Sequence, residues 1–71
     1  MLTFELTNNE SIEIHVDTEG LKDFIQALQK VLEAEDHLHL MSSEWGGNEL
    51  SSEKQGVDNK LVNHVKIMKW T

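Results

Sequence analysis

The four histidines of this sequence are its best candidates for metal binding or proton transfer. His37 and His39 are one residue apart, which places both imidazoles on one side of a strand, and His64 could supply a third metal ligand. The same histidines, with Lys66, could form a metal-free hydrolytic site such as that of a nuclease. The sequence has no cysteine and no HExxH helix motif, so no second signal supports either site. We favour the interpretation that the histidines are half-exposed strand residues, which are either inert or part of a protein-binding surface. We therefore predict no catalytic residue, bound metal or cofactor.

Charge restricts the partners of the chain. The formal net charge is −7, with all thirteen acidic residues in positions 1–59 and three lysines in positions 60–71. Nucleic-acid binding needs a basic face that neutralises phosphates, so we expect no nucleic-acid partner and no phosphate-binding cleft. An acidic surface instead favours a basic protein partner. No apolar run approaches the length of a membrane span, and no signal segment is visible, so we expect a cytoplasmic protein without a membrane partner.

Three elements are predicted in the first half of the chain. Apolar and polar residues alternate over residues 2–6 and 12–16, and Asn8-Asn9 between them is a turn signal, which together predict a β-hairpin. Asp17 or Thr18 is a helix cap, and an amphipathic helix is expected over residues 18–34. The apolar stripe of this helix consists of Leu21, Phe24, Ile25, Leu28, Val31 and Leu32.

Two more strands complete the predicted fold. Residues 37–41 and 60–70 alternate in the same way, Asn63 interrupts the second pattern and suggests a bulge, and residues 42–59 form a long polar connection. The order ββαββ predicts a single small α+β domain over residues 1–71, in which one helix covers one face of a four-stranded, mainly antiparallel sheet.

The alternation also assigns side chains to the two faces of this sheet. We expect the helix to cover Leu2, Phe4, Leu6, Ile12, Ile14, Val16, Leu38, Leu40, Leu61, Val65 and Ile67. The opposite face has no second layer, and we expect it to carry Thr3, Glu5, Glu13, His15, His37, His39, Met41, His64, Lys66, Met68 and Trp70. An open face with apolar side chains marks an interaction surface, and a second copy of the chain could complete the sheet as a homodimer.

The tripeptide Trp45-Gly46-Gly47 has two interpretations. Paired glycines let a backbone approach a ligand or partner closely, which suits a binding loop with an exposed Trp45. Alternatively, Trp45 folds back over an edge of the core and the glycines only make the turn. No helix follows the glycines as it would in a phosphate-binding loop.

The segments HLHLMSSEWGGNELS, residues 37–51, and LVNHVKIMKW, residues 61–70, resemble immunity protein family 32 of bacterial polymorphic toxin systems. The N-terminal hairpin and helix match this family in general pattern. The resemblance implies a small α+β protein that binds and neutralises a cognate toxin domain, often a nuclease, without catalysis. For such a protein we expect the aromatic and acidic residues near the long connection to contact a basic toxin. They are Glu44, Trp45, Glu49, Glu53, His37, His39, His64, Met68 and Trp70.

Overall fold

The computed structural model of the protein describes residues 1–34 and 36–70. Its elements are β1 (Leu2–Leu6), β2 (Ile12–Val16), helix α1 (Thr18–Glu33), β3 (His37–Met41), a 3₁₀ turn (Ser43–Trp45), β4 (Lys60–Val62) and β5 (His64–Met68). All strand pairs are antiparallel, and α1 is the single α-helix of the described residues. The α+β class with one helix is therefore confirmed, whereas the predicted order ββαββ is wrong because the last strand is two strands.

The prediction of one four-stranded sheet is also wrong. The strands form a three-stranded sheet in the order β2-β1-β4 and a separate two-stranded sheet of β3 and β5. The break lies at Asn63, whose carbonyl oxygen accepts the Ser42 N–H at 3.0 Å and whose side chain accepts the buried Ser42 hydroxyl at 2.7 Å. The chain thus leaves β1 after Val62 and joins β3 at His64.

This break shifts the alternation of side chains by one residue. Val62 pairs with Phe4 and Val65 pairs with Leu40, and both valines pack against the core although they are three positions apart. Leu61 pairs with Glu5 and therefore lies on the opposite face, contrary to our prediction. The bulge expected at Asn63 is thus a complete change of strand partner.

Helix α1 begins as the sequence indicates. The Asp17 carboxylate caps it by accepting the Gly20 N–H at 2.8 Å. Gly20 is buried against the N-terminal residue, because a Cβ there would lie only 1.8 Å from the Met1 carbonyl oxygen. This close approach sets the rotation of the helix, so that Gly20, Phe24 and Val31 face inward.

One part of the predicted helix stripe is consequently left in solvent. Leu21, Ile25, Leu28 and Leu32 are between 39% and 70% exposed. Ile12 and Ile14 of β2, the end strand of its sheet, are likewise 56% and 50% exposed. Leu6 is also exposed. The prediction that Leu6, Ile12 and Ile14 are buried is therefore wrong.

The core consists of Leu2, Phe4, Leu40 and Leu50. Phe4 meets Phe24 of the helix edge to face, with ring centroids 5.7 Å apart. Leu50 comes from the long connection, which no periodic pattern assigned to the core. The hairpin turn also differs in detail, since its left-handed residue is Glu10, with φ 68°, and neither asparagine.

Candidate functional site

The outer face of β3 and β5 carries the side chains that the alternation placed there. The register pairs His37 with Met68, His39 with Lys66, and Met41 with His64. Paired residues of antiparallel strands project to the same side. These six side chains therefore share one face, opposite to the core residues Leu38, Leu40, Val65 and Ile67.

Four aromatic rings on this face form a continuous row, which we call the aromatic row: Trp45, His64, His39 and His37. The Trp45 and His64 centroids are 5.7 Å apart, and His64 stacks on His39 at 5.1 Å with an angle of 16° between the planes. His37 meets His39 edge to face at 5.2 Å. The row combines flat apolar area with ring nitrogens, a composition that suits a protein interface.

His39 lies in the middle of the row and is shifted toward its neutral form. Partial desolvation is the largest cause of its lowered pKa. The positive charges that His37, His64 and Lys66 carry when protonated lower the pKa further. Its Nδ1 is 2.9 Å from Nε2 of His64, so the N–H of one ring donates a hydrogen bond to the unprotonated nitrogen of the other. The lowered pKa favours the neutral ring of His39, and an uncharged ring costs less to cover with a partner.

The Trp-Gly-Gly tripeptide fixes the end of the row. Gly46 has a φ of 85°, a left-handed conformation that ends the 3₁₀ turn. A Cβ on Gly47 would lie 2.5 Å from the Met41 carbonyl oxygen, so only glycine allows this contact with β3. Trp45 itself is 59% exposed, so its ring rests on His64 and is not buried in the core.

The predicted acidic residues differ in their roles. Glu49 accepts the Met41 N–H at 3.0 Å and ties the connection to β3. Glu44 accepts the Ser52 hydroxyl at 2.7 Å, and this bond is the main cause of its lowered pKa. Glu53 is exposed, and so is Trp70, which lies beyond the end of β5. Trp45 is therefore grouped with His37, His39 and His64, whereas Trp70 lies outside the aromatic row.

The comparison with known families decides what kind of protein this is. The family model described as immunity protein 32 matches residues 11–65, which is more than half of the chain. The chain belongs to the immunity protein 32 family. The matched range includes the whole aromatic row and confirms the resemblance seen in the sequence. No match to this immunity protein was found among curated proteins or among solved structures.

The metal-site interpretation gains no support from the geometry of this immunity protein. Within residues 1–34 and 36–70, no group of three or more His, Cys, Asp or Glu side chains is arranged to hold a metal ion. His37, His39 and His64 do lie together, but His39 and His64 bond to each other through their ring nitrogens. Likewise, none of the helices in the described residues has the length and apolar character needed to cross a bilayer.

A buried carboxylate is the main feature that the sequence did not reveal. Glu5, predicted on the open face, is fully buried because residues 55–59 cover that half of the sheet. It accepts the N–H groups of Gln55 and Gly56, both at 2.9 Å, and the Asn59 amide at 3.0 Å. Thr3, also predicted to be open, is buried and donates its hydroxyl to the same carboxylate.

The hydrogen bonds to Glu5 determine its charge. Burial by itself raises the pKa of this carboxyl, but the bonds from Thr3, Gln55, Gly56 and Asn59 together lower it to about 2. Glu5 is therefore an anion that anchors the second half of the long connection. The predicted uncovered face is thus open over β3 and β5 and closed over β1.

A cavity is the second feature that no sequence pattern indicated. About 420 Å³ lies between helix α1 and residues 48–51, with Phe24, Ala27 and Leu40 on its apolar walls and Asp23 and Glu49 among its polar lining residues. It lies beside the core and not on the aromatic row.

Proposed function

We propose that this immunity protein binds a cognate bacterial toxin domain, a nuclease of net positive charge, and neutralises it by covering its active site. Membership of the immunity protein 32 family is the observation that carries this proposal. The protein contributes no catalysis and acts in the cytoplasm of the bacterium that makes it. The toxin is held by shape and charge, so the inhibitor needs a preformed surface and no reactive group.

The aromatic row is the surface that we propose for the centre of the interface. Tryptophan is enriched among the residues that dominate binding energies, and Trp45 is already held in place by its glycines and by His64. Met68 adds exposed apolar area on the same face. Trp70 is almost fully exposed and would contact the toxin at the margin of this surface.

Acidic side chains supply the proposed electrostatic attraction. Glu44 is an exposed carboxylate beside Trp45, and Glu49 and Glu53 follow it along the same connection. With a net charge of −7, the chain attracts a cationic domain, and such steering raises association rates to about 10⁸ M⁻¹s⁻¹ at low salt. Pairing a carboxylate with a lysine or arginine of the toxin orients the two proteins.

Co-expression tests the proposed function. The toxin domain encoded beside the gene for this protein is expressed in bacterial cells with and without the immunity protein. We expect the cells to survive only when the immunity protein is present, and the two proteins to purify as a complex. Continued killing in the presence of abundant, folded immunity protein would contradict the proposal.

A further inference from the structure

Strand β2 has one free edge. It is the end strand of its sheet and pairs only with β1 within the described part of the chain. Thr7 N–H donates to the Ser11 carbonyl at 2.9 Å and Asp17 N–H to the Met1 carbonyl at 3.2 Å, which shows that the odd-numbered positions bond across the hairpin. Antiparallel pairing alternates, so the backbone groups of Ile12, Ile14 and Val16 point outward.

Apart from the acidic residue Glu13, this edge lacks the features that usually prevent strands from pairing between molecules. Residues 12–16 contain no proline and no lysine, and β2 pairs with β1 residue for residue, without a bulge. Ile14 pairs with Phe4, which packs on the helix, so Ile12 and Ile14 face the helix side. Both isoleucines are about half exposed there. The edge therefore offers free backbone groups together with uncovered apolar side chains.

We propose that a second copy of this chain pairs with β2 in antiparallel register about Ile14, forming a symmetric dimer. The sequence Ile12-Glu13-Ile14-His15-Val16 is self-complementary in this register. Ile14 lies opposite Ile14 of the partner, and Ile12 lies opposite Val16. Glu13 lies opposite His15, so each copy contributes an acid where the other contributes a histidine. This complementarity is what selects a second copy as the occupant of the edge.

The backbone geometry fits the same register. In this register, even-numbered residues of one β2 strand lie opposite even-numbered residues of the other. These are the residues whose N–H and C=O groups point outward. Ile14 therefore donates one backbone hydrogen bond to Ile14 of the second copy and accepts one from it. The two three-stranded sheets then become one continuous sheet, and a twofold axis perpendicular to it places both helices on one face. The helix on that face carries the exposed apolar residues Leu21, Ile25 and Leu28.

The dimer leaves the aromatic row free. The row lies on β3, β5 and the 3₁₀ turn, whereas the edge belongs to the other sheet. The dimer proposal is therefore independent of the proposed function, and its failure would be recognised separately.

Amide hydrogen exchange of the native chain is the direct test, because it needs no variant. Sedimentation from micromolar to millimolar concentration should show a monomer becoming a dimer. Over the same range, the amides of Ile12, Ile14 and Val16 should become protected, while those of Glu13 and His15 are protected throughout. A monomer at every concentration, or a dimer in which the Ile14 amide still exchanges rapidly, would overturn the proposal.

A pair of lysine variants gives the second test. Ile14→Lys places like charges directly opposite each other at the twofold axis and should weaken dimerisation by about tenfold or more. Val57→Lys adds the same charge at a residue of the long connection that is 85% exposed, and it should leave the dimer intact. A folded Ile14→Lys protein that still dimerises would contradict the register. If this variant instead lost toxin binding while the native chain stayed monomeric, the edge would belong to the toxin and the dimer proposal would be wrong.

Discussion

At the scale of single residues, the proposed interface depends on how Trp45 is held. Its ring lies against His64, and the two following glycines fix the backbone by a left-handed turn and a close contact with Met41. An aromatic anchor that is ordered before binding loses less conformational entropy when the complex forms. The same tripeptide therefore accounts for both the exposure and the order of this side chain.

Replacing Trp45 with alanine should weaken toxin binding by about tenfold or more, because a central aromatic anchor contributes on the order of 2–4 kcal/mol. Calorimetric titration measures the affinity, and circular dichroism should show an unchanged helix signal. Val57→Ala, an exposed residue outside the aromatic row, is the control and should bind like the native protein. If the Trp45 variant unfolds, the side chain is part of the scaffold, and the proposed anchor is wrong.

Glu5 predicts how the stability of the protein depends on pH. Its pKa is lowered from 4.5 to about 2 in the folded protein. The folded state therefore gains stability above the unfolded pKa and loses it as the pH falls from about 5 to 2. A shift of this size corresponds to at most about 3 kcal/mol of folding free energy at neutral pH, and solvent screening reduces that contribution.

Urea unfolding at several pH values measures this effect. Glu5→Gln should lower the free energy of unfolding at pH 7, because an amide cannot accept all the bonds from Gln55, Gly56 and Asn59. The variant should also lose the part of the acid dependence that Glu5 contributes. Equal acid sensitivity in the two proteins would show that this carboxyl is not the anchor we describe.

Among the elements, the long connection, residues 42–59, both stabilises the fold and carries Trp45 of the proposed interface. Leu50 is in the core, and Ser51 donates its N–H to the Leu2 carbonyl of β1 at 2.8 Å. Residues 55–59 then cover Glu5. One polar segment thus connects the two sheets, closes one face of the first and holds Trp45 beside the second.

The sequence predicts the local elements well because their causes are local. The Asp17 cap and the apolar spacing define the helix, and the period-two alternation places His37, His39, His64 and Met68 on one face. The change of partner at Asn63 could not be predicted, since it depends on Ser42, which is distant in sequence. The burial of Glu5 by residues 55–59 could not be predicted either, because it depends largely on backbone N–H groups, which nearly every residue type has.

The contact between Gly20 and Met1 gives a prediction for helix α1. Alanine normally stabilises a helix interior relative to glycine by about 1 kcal/mol. Here Gly20→Ala should instead destabilise the protein by about 1–3 kcal/mol, because the new Cβ would overlap the Met1 backbone. Gln29→Ala, at an exposed position of the same helix, is the control and should be neutral or slightly stabilising. A more stable Gly20 variant, measured by urea unfolding, would disprove the close packing.

For the whole molecule, we expect the uneven charge to influence how the proposed toxin approaches. The net charge of −7 belongs to a chain whose last strands carry lysines, while the long connection carries Glu44, Glu49 and Glu53. We therefore expect the basic toxin proposed as partner to be attracted as a whole before it contacts the aromatic row. Long-range attraction of this kind is screened by salt.

The association rate with the toxin should therefore fall steeply as salt is raised, whereas the dissociation rate should change little. Stopped-flow fluorescence, with Trp45 and Trp70 as the intrinsic probes of this chain, measures both rates. Glu53→Gln removes one exposed charge and should lower the association rate at low salt only. An association rate that does not depend on salt would contradict electrostatic steering.

Inhibition of the toxin by purified immunity protein shows whether this chain neutralises a nuclease. The neighbouring toxin domain is assayed on nucleic acid while the native chain, the Trp45→Ala variant or the Val57→Ala control is added in increasing amounts. We predict complete inhibition at one immunity protein per toxin for the native chain and the control, and about tenfold weaker inhibition for the Trp45 variant. Full nuclease activity in the presence of excess native protein would contradict the proposed neutralisation of the toxin.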